Sequence, residues 1–152
     1  MSRALGFIFI FALSNVACLS EESKNGSTSV ASEYEWIQVG SHASFAPRDG
    51  AGALVFDQKM WMLGGWNPGD KQHFPLTCNN EVWSSTDGAS WSLMKPNTFL
   101  DANFDSTKDW EGRHTAGYAV FKNKMWIVGG DPIQGHYQSD VWNSKDGKIW
   151  TH

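Results

Sequence analysis

His73, Cys78 and His136 are residues of metal-ligating type. Imidazole and thiolate are competent zinc ligands. Their spacing matches no compact ligand motif and they fall in different structural repeats, so no metal site and no cofactor are assigned. Asp105, Asp109 and Glu111 form an acidic run of the type that paired-carboxylate chemistry uses. Without a further signal they read as a solvated loop, and no catalytic residue is assigned. The candidate ligand-binding residues are Trp66, His73, Trp110, His136 and Tyr137. A tryptophan in a loop can stack on a sugar or anchor a protein partner, or it can plug a gap beneath its own loop. Arg48 and Arg113 are added because a guanidinium near a cavity mouth can meet an anionic ligand. The competing reading pairs each arginine with a carboxylate, Glu81 or Asp140, that fixes local geometry.

The elements that must position these residues are set by a repeat. Arg48–Gly65, RDGAGALVFDQKMWMLGG, recurs as Arg113–Gly130, RHTAGYAVFKNKMWIVGG, with ten of eighteen positions identical at an offset of 65 residues. NEVWSSTDGASW, Asn80–Trp91, is answered by SDVWNSKDGKIW, Ser139–Trp150. Repetition on this scale signals an array of supersecondary units.

Within the first copy, Ala51–Phe56 and Lys59–Leu63 read as strands joined by the short turn Asp57-Gln58. Gly64-Gly65 permits a sharp exit. Glu81–Thr86 and Ala89–Met94 read as a third and a fourth strand joined by a tight Asp87-Gly88 turn. The second copy predicts strands over Ala116–Phe121, Lys124–Val128 and Asp140–Ser144, with a fourth starting near Lys148. Trp36–Val39 is a candidate additional strand. The expected class is all-β, with four antiparallel strands per unit and two units present.

The double glycines, Trp61 and Trp126 three residues before them, and the pairs Trp83…Trp91 and Trp142…Trp150 resemble the kelch family of β-propellers. The resemblance covers roughly residues 48–152. It implies a first blade with its preceding strand over 36–95, an inter-blade loop over 96–112, and a second, incomplete blade over 113–152. Seven residues separate the last two aromatics in both copies, one more than kelch repeats usually hold. The Ser85–Trp91 stretch also looks like the Asp-box of sialidases. Here, however, Asp87 and Gly88 are adjacent where that motif separates them, so a plain Asp-Gly turn is expected.

The N-terminus carries Arg3 and then the apolar run Ala4–Leu13. That run is too short to span a bilayer, and residues 1–20 read as a secretory signal peptide. Small residues before Cys18 resemble a bacterial lipobox, although Asn15 stands where the lipobox has leucine. Cys18 is thus a candidate lipidation site and membrane attachment point, with cleavage after Ser20 as the alternative. Residues 21–35 are polar and serine-rich and read as a disordered linker. The expected location is extracytoplasmic: secreted, periplasmic or lipid-anchored at the cell envelope.

Totals narrow the partners. The net charge is −4 and the pI about 5.6, with no basic cluster, which argues against nucleic acid. A propeller closes with about four to eight blades, so two blades imply either a piece of a longer chain or, if the chain is complete, self-association.

Meander order puts the tight 1–2 and 3–4 turns at one end. The long 2–3 loops and the 4–1 connection lie at the other, where binding residues concentrate. The expected function is an exported module that binds a protein or carbohydrate through this long-loop face. The alternative implied by the resemblance is a sugar-active kelch enzyme, galactose oxidase-like or sialic-acid mutarotase-like. With only Tyr34, Tyr118 and Tyr137 in the chain, the copper ligand set of the former cannot be assembled from these residues.

Overall fold

The structure, a computed structural model, describes residues 34–133 and 135–152. The expected signal peptide, Cys18 and the expected linker up to residue 33 lie outside the described residues. The chain forms two units, Met1–Trp36 and Ile37–His152. Of the first, Tyr34, Glu35 and Trp36 are described, exposed and without regular structure. The second is all-β, with seven strands and no helix among the described residues.

Its first sheet is an antiparallel meander of β1 (Gly52–Phe56), β2 (Lys59–Leu63), β3 (Val82–Ser85) and β4 (Ser92–Lys95), in that spatial order. The second sheet is the meander β5 (Gly117–Phe121), β6 (Lys124–Gly130) and β7 (Gln138–Ser144). The registers repeat. Leu54 pairs with Trp61 and Ala119 with Trp126, while Trp61 pairs with Ser84 and Trp126 with Asn143.

The 1–2 turns are two-residue turns of type I′, because both central residues have positive φ: Asp57 at 49° and Gln58 at 56°, Lys122 at 49° and Asn123 at 55°. A side chain in this region costs roughly 1–2 kcal/mol, which glycine avoids. After its own entropic cost of about 0.5–1 kcal/mol, Gln58→Gly is expected to raise stability by ~0.5 kcal/mol. That corresponds to a melting temperature about 2 °C higher in thermal denaturation.

Three expectations are corrected. Trp36–Val39 is not a strand, and all four residues are exposed. No sheet edge pairs with that stretch, so its apolar residues have nothing to register against. The Asp87-Gly88 step is not a tight turn, because β3 and β4 pair only as far as Ser84 and Ser92. The intervening loop is organised by side chains. Asp87 Oδ1 accepts the amides of Ala89 (2.9 Å) and Ser90 (2.7 Å), and Ser85 Oγ accepts the amide of Gly88 (2.8 Å). The amides of Ser90 and Ala89 hold the Asp87 carboxyl below its ordinary range. Asp146 repeats the arrangement with Lys148 and Ile149. Finally, the fourth strand of the second sheet does not start near Lys148: its first pair is the bridge of Thr151 to Asn143, the repeat equivalent of Ser92 with Ser84.

Each sheet has a front face, carrying Leu54, Trp61, Leu63 and Val82 in the first copy. Its back face carries Met62 and Trp83. The strand pairing places Tyr118, Met125, Ile127 and Trp142 on the back of the second sheet. The core is the front of the first sheet packed on the back of the second: Phe56, Trp61, Leu63 and Val82 meet Met125, Ile127, Trp142 and Trp150. Gly52 lies against the Tyr118 ring so closely that an added Cβ would stand 2.4 Å from it. Burial pushes the Tyr118 phenol above its ordinary pKa.

Candidate functional site

The two arginines anchor the start of each sheet. Arg48 donates to Glu81 Oε2 (2.7 Å), Asn79 Oδ1 (2.8 Å) and the Gly64 carbonyl (3.1 Å). Arg113 binds Asp140 through both terminal nitrogens and reaches the Gly129 carbonyl at 2.9 Å. Both guanidinium side chains are almost fully buried. They are structural clamps, and the candidate role of Arg48 and Arg113 in meeting an anionic ligand is corrected: their charges are already paired.

Trp110 is also removed from the ligand surface. It is fully buried in the core, edge-on to Trp150 with ring centroids 5.7 Å apart. Its position belongs to the repeat. Phe45 precedes Arg48 by the three residues that separate Trp110 from Arg113, and Phe45 meets Trp91 edge-on at 5.3 Å. The repeat therefore extends to this aromatic, with Phe in one copy and Trp in the other.

The 4–1 connection is pinned rather than loose. Lys95 Nζ bonds Asp109 (2.8 Å) and Thr98 Oγ1 (3.1 Å), and stands 5.5 Å from the centre of the Trp110 ring. Burial lowers the Lys95 pKa, against the pull of Asp109. Asn80 Nδ2 donates to the Trp110 carbonyl at 2.8 Å. Asp105 is taken by Thr107 and Lys108, and Glu111 by Gln138. The acidic run therefore offers no free carboxylate pair. The open hollow of about 560 Å³ beside it is lined in part by the committed groups Thr98, Asp105, Lys108 and Asp109.

His73 is exposed and hydrogen-bonded to Asp70 at 2.7 Å, a contact three residues apart that organises its own loop. The structure does not bring His73 and His136 into one site. Among the described residues no group of three or more His, Cys, Asp or Glu side chains is arranged to hold a metal ion.

Trp66 and Tyr137, by contrast, do meet. They line a cleft of about 450 Å³ on the long-loop side, between the starts of the two sheets. Phe74, Cys78, Asp49, His114 and Asp131 complete its functional lining. Backbone bridges build it: Trp66 pairs with Asp49 and Cys78, and His114 with Asp131. The two halves are joined by the amide of Gly65, which donates to the Arg113 carbonyl at 2.8 Å. Thr115, beside His114, has a φ of 52°. A β-branched residue is rarely held there, and such strain collects at functional positions. The amide of Thr115 donates to the Gly50 carbonyl at 3.0 Å, which helps to hold it.

At the floor, His114 lies between two carboxylates, with Nδ1 3.9 Å from Asp49 Oδ1 and Nε2 3.9 Å from Asp131 Oδ2. Both separations exceed a hydrogen bond. Asp131 is 5% exposed, and its buried Oδ1 has no hydrogen-bond partner. Trp66 faces the imidazole with ring centroids 6.1 Å apart. Phe74 and Tyr137 are exposed at the rim. Cys78 Sγ donates to the Asp131 carbonyl at 3.5 Å, and burial together with the nearby carboxylates pushes its thiol up to about 12. It is a neutral wall, not a nucleophile.

Asp49 and His114 were not identified from the sequence, although a signal was present. They stand at one repeat position, 65 residues apart, as do Trp66 and Asp131. The cleft is lined where the two copies differ.

These features define a class: an all-β protein of repeated antiparallel meander sheets with an aromatic and carboxylate-lined cleft at its long-loop end. No described protein family and no curated protein matches the chain. Solved structures similar to it include a protein of Bacteroides ovatus provisionally assigned as a glycoside hydrolase, with a TM-score of 0.45, 19% identity, and coverage of 67% of this chain and 29% of that one. A Parabacteroides distasonis protein with the same provisional assignment has a TM-score of 0.46 and 19% identity, over 72% and 33% of the two chains. The GH32 β-fructofuranosidase of Bombyx mori has a TM-score of 0.41 and 19% identity, over 66% and 21%. The chain spans about a third or less of the length of these structures.

Proposed function

We propose that this chain contributes two kelch-type blades to an exported, glycan-binding β-propeller, and that the cleft holding Trp66, His114 and Asp131 is its binding site. The observation that carries the reading is Asp131: a buried carboxylate oxygen without a partner at the floor of an aromatic-walled cleft. A buried acceptor left unbonded costs on the order of 1–3 kcal/mol, and a ligand hydroxyl would relieve that cost. Trp66 and Tyr137 offer flat apolar surfaces on which the C–H face of a sugar ring can rest. The arginines are neutralised by their own carboxylates, so Asp49 and Asp131 give the cleft a negative balance. Neutral sugars and amino sugars fit that balance, and uronic and sialic acids do not.

Isothermal titration against neutral di- and trisaccharides, amino sugars and galacturonate tests the reading. Binding is expected for a neutral or amino sugar and absent for galacturonate. Asp131→Asn and Trp66→Ala are each expected to weaken binding about tenfold or more, from a lost charge-assisted hydrogen bond or a lost stacking surface. Unchanged affinity in both variants, or no heat with any neutral or amino sugar, would sink the proposal.

A further inference from the structure

The cleft is built from one backbone unit used twice with different side chains. In the first copy, Asp49 and Trp66 exchange both backbone hydrogen bonds, each at 2.9 Å. In the second, His114 and Asp131 do the same at 3.1 and 3.0 Å. Residues directly opposite in such a bridge carry their side chains on one face, with Cβ atoms about 5 Å apart. The Asp49 carboxylate therefore flanks the Trp66 indole, and the Asp131 carboxylate flanks the His114 imidazole. The Thr115 amide, bonded to the Gly50 carbonyl, ties the two bridges side by side.

Charge across this paired unit is one-sided. Asp49 and Asp131 both line the cleft, and no lysine or arginine lines it among the described residues. Burial and the carboxylates keep Cys78 a neutral thiol. His114 is the one base in the lining, and at 3.9 Å from each carboxylate it hydrogen-bonds neither. The Asp49 side chain is 68% exposed and that of Asp131 only 7%. An ammonium group suits this combination. It brings three donors to the carboxylates, and it is attracted to an aromatic face within about 6 Å of the ring centre.

We infer that the cleft selects a protonated amino sugar over its uncharged counterparts, and that Asp49 sets this preference. The inference rests on glycan binding at the cleft, as proposed above, and adds the charge of the ligand. Asp131 serves any sugar, because a hydroxyl satisfies its orphan oxygen as an ammonium does. Asp49 differs. A solvated carboxylate that trades water for a neutral hydroxyl gains little, so Asp49 gains mainly when the ligand is a cation beside the indole.

The test is isothermal titration with a glucosamine trisaccharide and with its N-acetylated counterpart. The free amine is expected to bind about tenfold tighter, from an exposed ion pair together with a cation–π contact. Acetylation also adds bulk, so the charge itself is read from two further measurements. Asp49→Asn is expected to cut the preference to about threefold or less, and raising the salt concentration should shrink it in wild type. Asp49 meets its bridge partner through the backbone, so the variant should keep the wild-type circular dichroism spectrum. Equal or tighter binding of the acetylated sugar overturns the inference and leaves glycan binding standing. So does a preference that neither Asp49→Asn nor salt reduces. No heat with any sugar removes the glycan-binding role, and the inference with it.

Discussion

Arg113→Ala is expected to cost about 3–5 kcal/mol, the range found when one partner of a buried ion pair is removed. In thermal denaturation that corresponds to a melting temperature lower by roughly 10–15 °C. The side chain is fully buried, binds Asp140 bidentately, and satisfies the Gly129 and Glu111 carbonyls. Its loss strands a carboxylate and two acceptors at once. The residue is also the junction between sheets, since its amide donates to Asn79 and its carbonyl accepts from Gly65. Arg113→Lys keeps the charge but not the fork, and should recover only part of the loss. The defect also has a pH signature. Burial raises the Asp140 pKa, but the hydrogen bonds from Arg113 and Trp142 outweigh it, and the net shift is downward from the ordinary 3.8. A depressed carboxyl contributes stability above its unfolded pKa and loses it as pH falls through its folded value. Wild type and Arg113→Ala should therefore differ fully at neutral pH and converge as the solution is acidified below about pH 4. A difference that is constant from pH 7 to pH 2 would show that Asp140 is not the group involved.

The parts of this molecule that could be read from its sequence are those where the two copies agree. Strands β1, β2, β5 and β6 follow from short continuous apolar runs that recur at a fixed offset, and their turns from polar pairs between them. The pairing of Arg48 with Glu81 and of Arg113 with Asp140 follows from a charge that recurs with its partner. What escaped was governed by differences between the copies or by side-chain bonding. Trp110 appeared unrepeated because its counterpart is Phe45, a different aromatic with the same packing role. Asp49 and His114 appeared unrelated because one repeat position had become acidic in one copy and basic in the other. The Asp87 loop was misjudged because an Asp-Gly pair is a good turn when only backbone conformation counts. Here the aspartate carboxylate binds the following amides and spreads the connection over six residues, Thr86–Trp91.

Differences between copies also decide the second large effect. Gly147→Ala and Gly88→Ala alter one repeat position, and both glycines have positive φ, 73° and 78°. Each substitution carries the backbone cost of an alanine in that region, about 1–2 kcal/mol. There the similarity ends. A Cβ on Gly147 would stand 2.3 Å from the Trp61 ring, which is buried and tied to the Phe56 carbonyl. A Cβ on Gly88 would meet the terminal methyl of Met60 at 3.1 Å, and that flexible side chain can turn aside. Overpacking a fixed ring adds about 1–3 kcal/mol. Gly147→Ala is therefore expected to destabilise by about 3–4 kcal/mol in urea titration, and Gly88→Ala by no more than about 2 kcal/mol. Equal losses in the two variants would mean that the backbone alone sets the cost and that Trp61 yields.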